Sequence, residues 1–273
     1  MKYWIVLKSD EGVYKVEKMI YIKSRRELDK MRRAGEVVAL VHNKLAEIIK
    51  PGVTTIELDR AAEEIIRDND AIPSFKGYPC AYGGIDFPGS ICTSVNDVVI
   101  HGIPGDYALK EGDIISIDVG AIFDGYHGDA ARTYAVGNVS KEARDLIYHT
   151  EEAFNRGMAQ AIEGNRISDI SKAIQEYAES KGYKVVRDFV GHGIGTEMHE
   201  EPQIPNYVTR EKGVRLSSGM TLAIEPMINI GTWRVHVLDD KWTVVTKDGK
   251  LSAHHENTLA VTPNGPEILT RLY

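Results

Sequence analysis

Ile114-Ile115-Ser116-Ile117-Asp118-Val119-Gly120-Ala121-Ile122-Phe123-Asp124-Gly125-Tyr126-His127-Gly128-Asp129-Ala130-Ala131-Arg132 is the stretch on which the architecture hinges. Asp124-Gly125 is the strongest hairpin signal in the chain, because a two-residue turn of this kind needs positive φ at both positions. With residues 123 and 126 facing each other, Asp118 falls opposite Ala131 and Asp129 opposite Gly120, so the two aspartates share one face as diagonal neighbours. Diagonal partners lie about 7–8 Å apart at Cα, close enough for both carboxylates to reach a pair of metal ions about 3.5–4 Å apart. Ile115, Ile117, Val119 and Ala121 occupy the other face and belong in a core, and Gly120 is expected to leave space beside the aspartates. On the hairpin alone, two exposed aspartates at a sheet edge fit equally well.

Upstream, apolar residues at helical spacing run from Ser24 to the Pro51-Gly52 stop, and a second helix follows over 55–67. Setting Gly52 against Gly164 aligns Val53–Leu58 with Asn165–Ile170 and Ala61 with Ala173. An offset of 112 residues is too long for a solenoid repeat and suits two similar half-domains about a pseudo-twofold axis. Strand signals occur at 91–100, 113–122, 126–136, 220–228, 242–246 and 257–261, with short pieces at 3–7 and 13–16. The simplest architecture is a single α+β domain with helices on the outer side of a curved antiparallel sheet. Residues 1–17 read as an N-terminal extension and 18–273 as one catalytic domain.

Composition removes several function classes. The 273 residues are 42% hydrophobic and 27% charged, as in an ordinary globular protein. A net charge of −7, with no basic stripe, argues against nucleic-acid binding. Arg25-Arg26 and Arg32-Arg33 read as a solvated helix face. No apolar run approaches the roughly 20 residues that span a bilayer, and residues 4–7 are too few for a signal-peptide core. A cytoplasmic location without membrane association is expected, with Cys80 and Cys92 as free thiols.

Three further elements resemble the hairpin in placing polar groups against apolar or glycine-rich surroundings. His192 lies in Gly191-His192-Gly193-Ile194-Gly195, Glu225 in Ala223-Ile224-Glu225-Pro226-Met227, and Glu256 directly before an apolar strand. Each carboxylate alone would be costly to bury. Together, four carboxylates balance two divalent ions and one imidazole completes the set. Oxygen-rich ligation suits Mn, Fe, Co or Mg, with Zn also accommodated, and such a pair would make a water nucleophilic near neutral pH. The pattern points to hydrolysis.

With these motifs in order and spacing, the chain resembles the type I methionine aminopeptidases over roughly residues 20–270. The resemblance implies a pseudo-symmetric "pita-bread" fold and Asp118, Asp129, His192, Glu225 and Glu256 as ligands of two divalent ions. It implies His101, in Val99-Ile100-His101-Gly102-Ile103-Pro104, as a contact to the substrate amide that aids proton transfer. His199, in Met198-His199-Glu200-Glu201-Pro202, would steady the scissile carbonyl, and Glu225 would join the two histidines in catalysis. Phe87, Cys92, Met198 and Trp242 would line the methionine pocket, a surface suited to a thioether. The activity implied is removal of the initiator methionine, from nascent chains with the ribosome as a candidate setting, by a monomer that prefers a small second residue. His127 reads as structural, and His254 and His255 as supports behind the ligands or surface residues.

Two positions depart from the family pattern. Gly84 stands where an aromatic residue is usual, with Tyr82 a candidate to compensate, and Gly89 replaces a common Lys. The alternatives are a prolidase or Xaa-Pro aminopeptidase, which usually carries a large additional N-terminal domain, and an inactive binding homologue, which would be expected to lose ligands. The span from His199 to Glu225 is too short for the helical insertion of type II enzymes.

Overall fold

The computed structural model describes residues 2–3, 19–81 and 83–272, so the pieces expected at 3–7 and 13–16, beyond Tyr3, and the residue Tyr82 lie outside the described residues. Helix α1 spans Arg25–Ile48 and starts with a capping box. Ser24 Oγ accepts from the Glu27 N–H, and the Glu27 carboxylate accepts from the Ser24 N–H. Met31, Ala34, Val37, Val38, Val41 and Leu45 form its buried stripe. Helix α2, Thr55–Asp68, carries the same box on Thr54 and Glu57. Helices α3, Lys141–Met158, and α4, Ile167–Ser180, belong to the second half.

The half-repeat is structural. Helices α2 and α4 start and end 112 residues apart. Gly52 and Gly164 share a φ of 93°, a left-handed conformation that favours glycine. Gly52 N–H donates to Leu109 O at 2.7 Å and Gly164 N–H to Leu216 O at 3.0 Å; Leu109 N–H and Leu216 N–H return to Val53 O and Asn165 O at 2.8 and 2.7 Å. From Leu109 and Leu216 onward the two halves are offset by 107 residues, which makes Glu225 the counterpart of Asp118.

Each half builds its own sheet, and the first is centred on a hairpin. Strands Ile114–Phe123 and Tyr126–Ala135 pair in the expected register, Asp118 opposite Ala131 and Gly120 opposite Asp129, through a turn with Asp124 at φ 47° and Gly125 at 78°. Strand Ile91–Val95 covers the other edge of Ile114–Phe123. In the second half, Thr221–Ile224 lies between Gly191–Gly193 and Asn257–Thr262. Ile115, Ile117, Val119 and Ala121 pack with buried residues of α1 and α2, whereas Leu222, Ile224, Leu259 and Val261 pack with those of α3 and α4. The helices therefore cover the outer faces and the inner faces remain for the site.

The curvature breaks some expected strands. Pro226 has no N–H for the ladder, and the run expected at 220–228 splits into Thr221–Ile224 and Met227–Asn229, which join different sheets. The run at 91–100 is interrupted at Asn96, whose φ is 56°. Cys80 and Cys92 are unpaired, and no helix among the described residues is long and apolar enough to cross a membrane.

Candidate metal centre

The five expected ligands come from five places that the two half-sheets bring together. Asp118 and Asp129 project from the first hairpin, His192 sits mid-strand, Glu225 occupies the break before Pro226, and Glu256 immediately precedes Asn257–Thr262. Because Ile224 pairs with Asn257, Glu225 and Glu256 emerge together from the end of that ladder. Asp129, His192 and Glu256 place one ligand atom each within 4.8 Å of one another, and so do Glu225, His254 and Glu256. His192 Nε2 lies 4.0 Å from Asp129 Oδ2 and 3.6 Å from Glu225 Oε1. Asp118 falls outside those two groups but lines the same cavity.

The electrostatics favour cations at this site. Burial pushes Asp118 up to about 6 and Glu225 up to about 8. Asp129 is raised well above the carboxylate range by burial first and by the charges of Asp118 and Glu225 next, and Glu256 by burial first and by the charges of Asp129, Glu225 and Asp118 next. Asp118 Oδ1, Asp129 Oδ1 and Glu256 Oε1 are buried without a hydrogen-bond partner. Buried carboxylates in that condition call for cations, and an oxygen-rich set with one imidazole suits divalent ions. His192 is prepared as a ligand: its Nδ1 donates to Gly193 O at 2.8 Å, and burial lowers its pKa to about 3, so a neutral ring presents Nε2 inward.

A cavity of about 330 Å³ opens beside the carboxylates, lined by Phe87, Cys92, Met198 and Trp242 together with His101 and His199. Trp242 is held by its Nε1–H on Ile85 O at 2.9 Å and meets Phe87 edge to face. His101 has a φ of 58° and its ring stands edge-on to Phe189 and Trp242. Burial lowers its pKa to about 4. Burial pushes the Cys92 thiol well up, which makes it a packing group instead of a nucleophile.

One expectation needs correction, and others can be placed. The room beside Gly120 is filled, since a Cβ there would stand 2.7 Å from Ser74 Cβ and 2.9 Å from Phe75 Cε1. Of the two readings of His254, a support behind the carboxylates is the one its place fits: it is buried, with Nε2 3.6 Å from Glu225 Oε2 and 4.0 Å from Glu256 Oε2. His255 is also buried and packs against Phe154 instead of the carboxylates. His127 does take a structural place, its Nδ1 3.0 Å from Ser74 Oγ. A side chain on Gly89 would start 2.8 Å from Pro104 Cδ, which leaves no room for the usual Lys.

Tyr78 and Phe189 line the cavity and were missed. Phe189 stands three positions before His192 and next to that glycine-rich run, an apolar signal that was available. Tyr78 is nine positions before Phe87, beyond any local periodicity. Phe87 N–H donates to Tyr78 O at 2.9 Å and Gly77 N–H to Phe87 O at 2.8 Å, so Tyr78 and Phe87 are brought together and both line the cavity. An aromatic wall is thus present although Gly84 lacks one.

The model for metallopeptidase family M24 matches residues 29–263. The methionine aminopeptidase of Clostridium perfringens is 57% identical over 92% of this chain and 99% of its own length. Methionine aminopeptidase 1 of Bacillus subtilis is 54% identical over 93% of this chain and 100% of its own. The crystal structure of methionine aminopeptidase from Thermotoga maritima superposes with a TM-score of 0.89 at 46% identity, covering 93% of this chain and 100% of that one. The Xaa-Pro dipeptidase of Bacillus anthracis, at 24% identity and a TM-score of 0.74 with 62% of its length covered, shares the fold alone.

Proposed function

The chain belongs to metallopeptidase family M24, among its methionine aminopeptidases, and we propose that Asp118, Asp129, His192, Glu225 and Glu256 hold two divalent ions at its active site. The observation that carries this is the convergence of two buried and two half-buried carboxylates, three with unpartnered oxygens, on one cavity with the inward Nε2 of His192. Ions bound there would supply Lewis acidity and a water acidified toward neutral pH.

The chain's own groups do the remainder. The apolar cavity formed by Phe87, Cys92, Met198 and Trp242 receives the methionine side chain and shields the site from water. His101, neutral and held between Phe189 and Trp242, faces the substrate amide and aids proton transfer. His199 steadies the scissile carbonyl from the cavity wall. Glu225, with Oε1 3.6 Å from His192 Nε2, is placed to act with His101 and His199. Mn, Fe, Co and Zn all suit this donor set. The substrates are nascent polypeptide N-termini with a small second residue, met by a monomer in the cytoplasm, with the ribosome as a candidate meeting place.

Methionine release from Met-Ala-Ser and Met-Lys-Ser, measured with each metal, tests the reading. Cleavage of the first and not the second is expected. Preference for Xaa-Pro peptides over Met-Ala-Ser would transfer the assignment to the prolidase reading.

A further inference from the structure

Tyr78 touches the site through one bond. Its hydroxyl lies 2.7 Å from His199 Nδ1, and the two rings meet edge to face with centroids 5.5 Å apart. Both ends of this contact are anchored. Tyr78 N–H donates to Phe75 O at 2.8 Å and its carbonyl accepts from Phe87 N–H, while the His199 ring lies 4.3 Å, centroid to centroid, from that of His192. His199 Nε2 has no hydrogen-bond partner among the described residues, and the residue lines the cavity, so Nε2 is the nitrogen left for substrate.

A neutral imidazole carries its proton on one nitrogen, and the hydrogen bond at the other selects which. A tyrosine hydroxyl that donates to Nδ1 leaves the proton on Nε2. We propose that Tyr78 is a positioning residue that holds His199 in this tautomer, so that Nε2–H is donated to the scissile carbonyl oxygen as negative charge develops there. The opposite tautomer would aim a lone pair at that oxygen, repelling the charge the site must stabilise. This inference rests on the reading of His199 as the carbonyl contact.

The experiment is a double-mutant cycle on the metal-loaded full chain with Met-Ala-Ser. Tyr78→Phe keeps the ring and removes only the hydroxyl. It should lower kcat by about 10–100-fold, the usual cost of losing a group that orients an active-site histidine, with KM little changed. In the His199→Ala background the same substitution should have no further effect. Nitrogen-15 shifts of His199 in the wild-type protein should report a protonated Nε2 and an unprotonated Nδ1, an assignment that does not depend on any variant folding. Wild-type kcat in Tyr78→Phe, an equal loss in both backgrounds, or a proton on Nδ1 in the wild type each overturns the proposal. Wild-type turnover by His199→Ala removes the underlying reading of His199, a failure that the single variant separates from that of Tyr78.

Discussion

Thr258 grips the backbone of Asp129 on both sides: its Oγ1 accepts from the Asp129 N–H at 3.0 Å and donates to the Asp129 carbonyl at 2.9 Å. With Glu256 N–H on Ala131 O at 2.9 Å and the Arg132 guanidinium on the Glu256 carbonyl, this clasp joins the two half-repeats where their carboxylates meet. Thr258→Val keeps the shape and removes the hydroxyl, leaving buried backbone groups unpaired. We expect a loss of about 1–3 kcal/mol in urea denaturation, and metal affinity weakened about 10–100-fold. Unchanged stability would show that the halves hold their register without it.

Asp118→Asn should affect stability and activity in opposite directions. At pH 8 the metal-stripped protein must keep Asp118 charged although burial has raised its pKa to about 6, so the neutral amide should stabilise that form by about 3 kcal/mol. Peptide hydrolysis should fall by orders of magnitude, as it should for Glu225→Ala. Near wild-type turnover by either variant at saturating metal would reject these ligands.

The stripped protein should also lose stability as pH rises from about 6.5 to 8. An acid whose pKa is raised by folding binds its proton more tightly when folded; that contribution is complete below the ordinary carboxylate range and vanishes as pH climbs through the folded value. Glu225, at about 8, titrates in this window. His192, at about 3, and His101 and His254, at about 4, act in the opposite sense, but only below about pH 6.5. Urea midpoints at the two pH values check the sign, and Glu225→Gln should flatten the slope.

His101 is held at a φ of 58°, a conformation that asparagine tolerates far better than alanine. His101→Asn and His101→Ala should both lower turnover by about 10²–10³ while retaining metal. Only the alanine variant should add a stability cost, about 1 kcal/mol. Loss of metal from either, measured by calorimetry, would place His101 on the ions instead of on the substrate.

Much of this molecule could be read before folding. Asp124-Gly125 dictated the hairpin register, and with it the shared face of Asp118 and Asp129. Ser24 and Glu27 bounded α1, and the Gly52–Gly164 offset announced the pseudo-twofold because equivalent turns need equivalent left-handed glycines. Turn chemistry, capping and side-chain period act within a few residues, so they leave a local trace in the chain.

What the tertiary structure alone decided lies between distant segments. It broke the expected strand at Glu225-Pro226 and sent its two parts to different sheets. It buried His254 between Glu225 and Glu256, filled the space beside Gly120 with Ser74 and Phe75, and brought Tyr78 to His199 across 121 positions. None of these contacts follows from a period or a turn, because each depends on how two half-sheets curve and close on one another. The chemical types of the proposed ligands were therefore written in the chain, whereas their mutual approach, and the raised proton affinity of the carboxylates, came from burial in a shared low-dielectric interior.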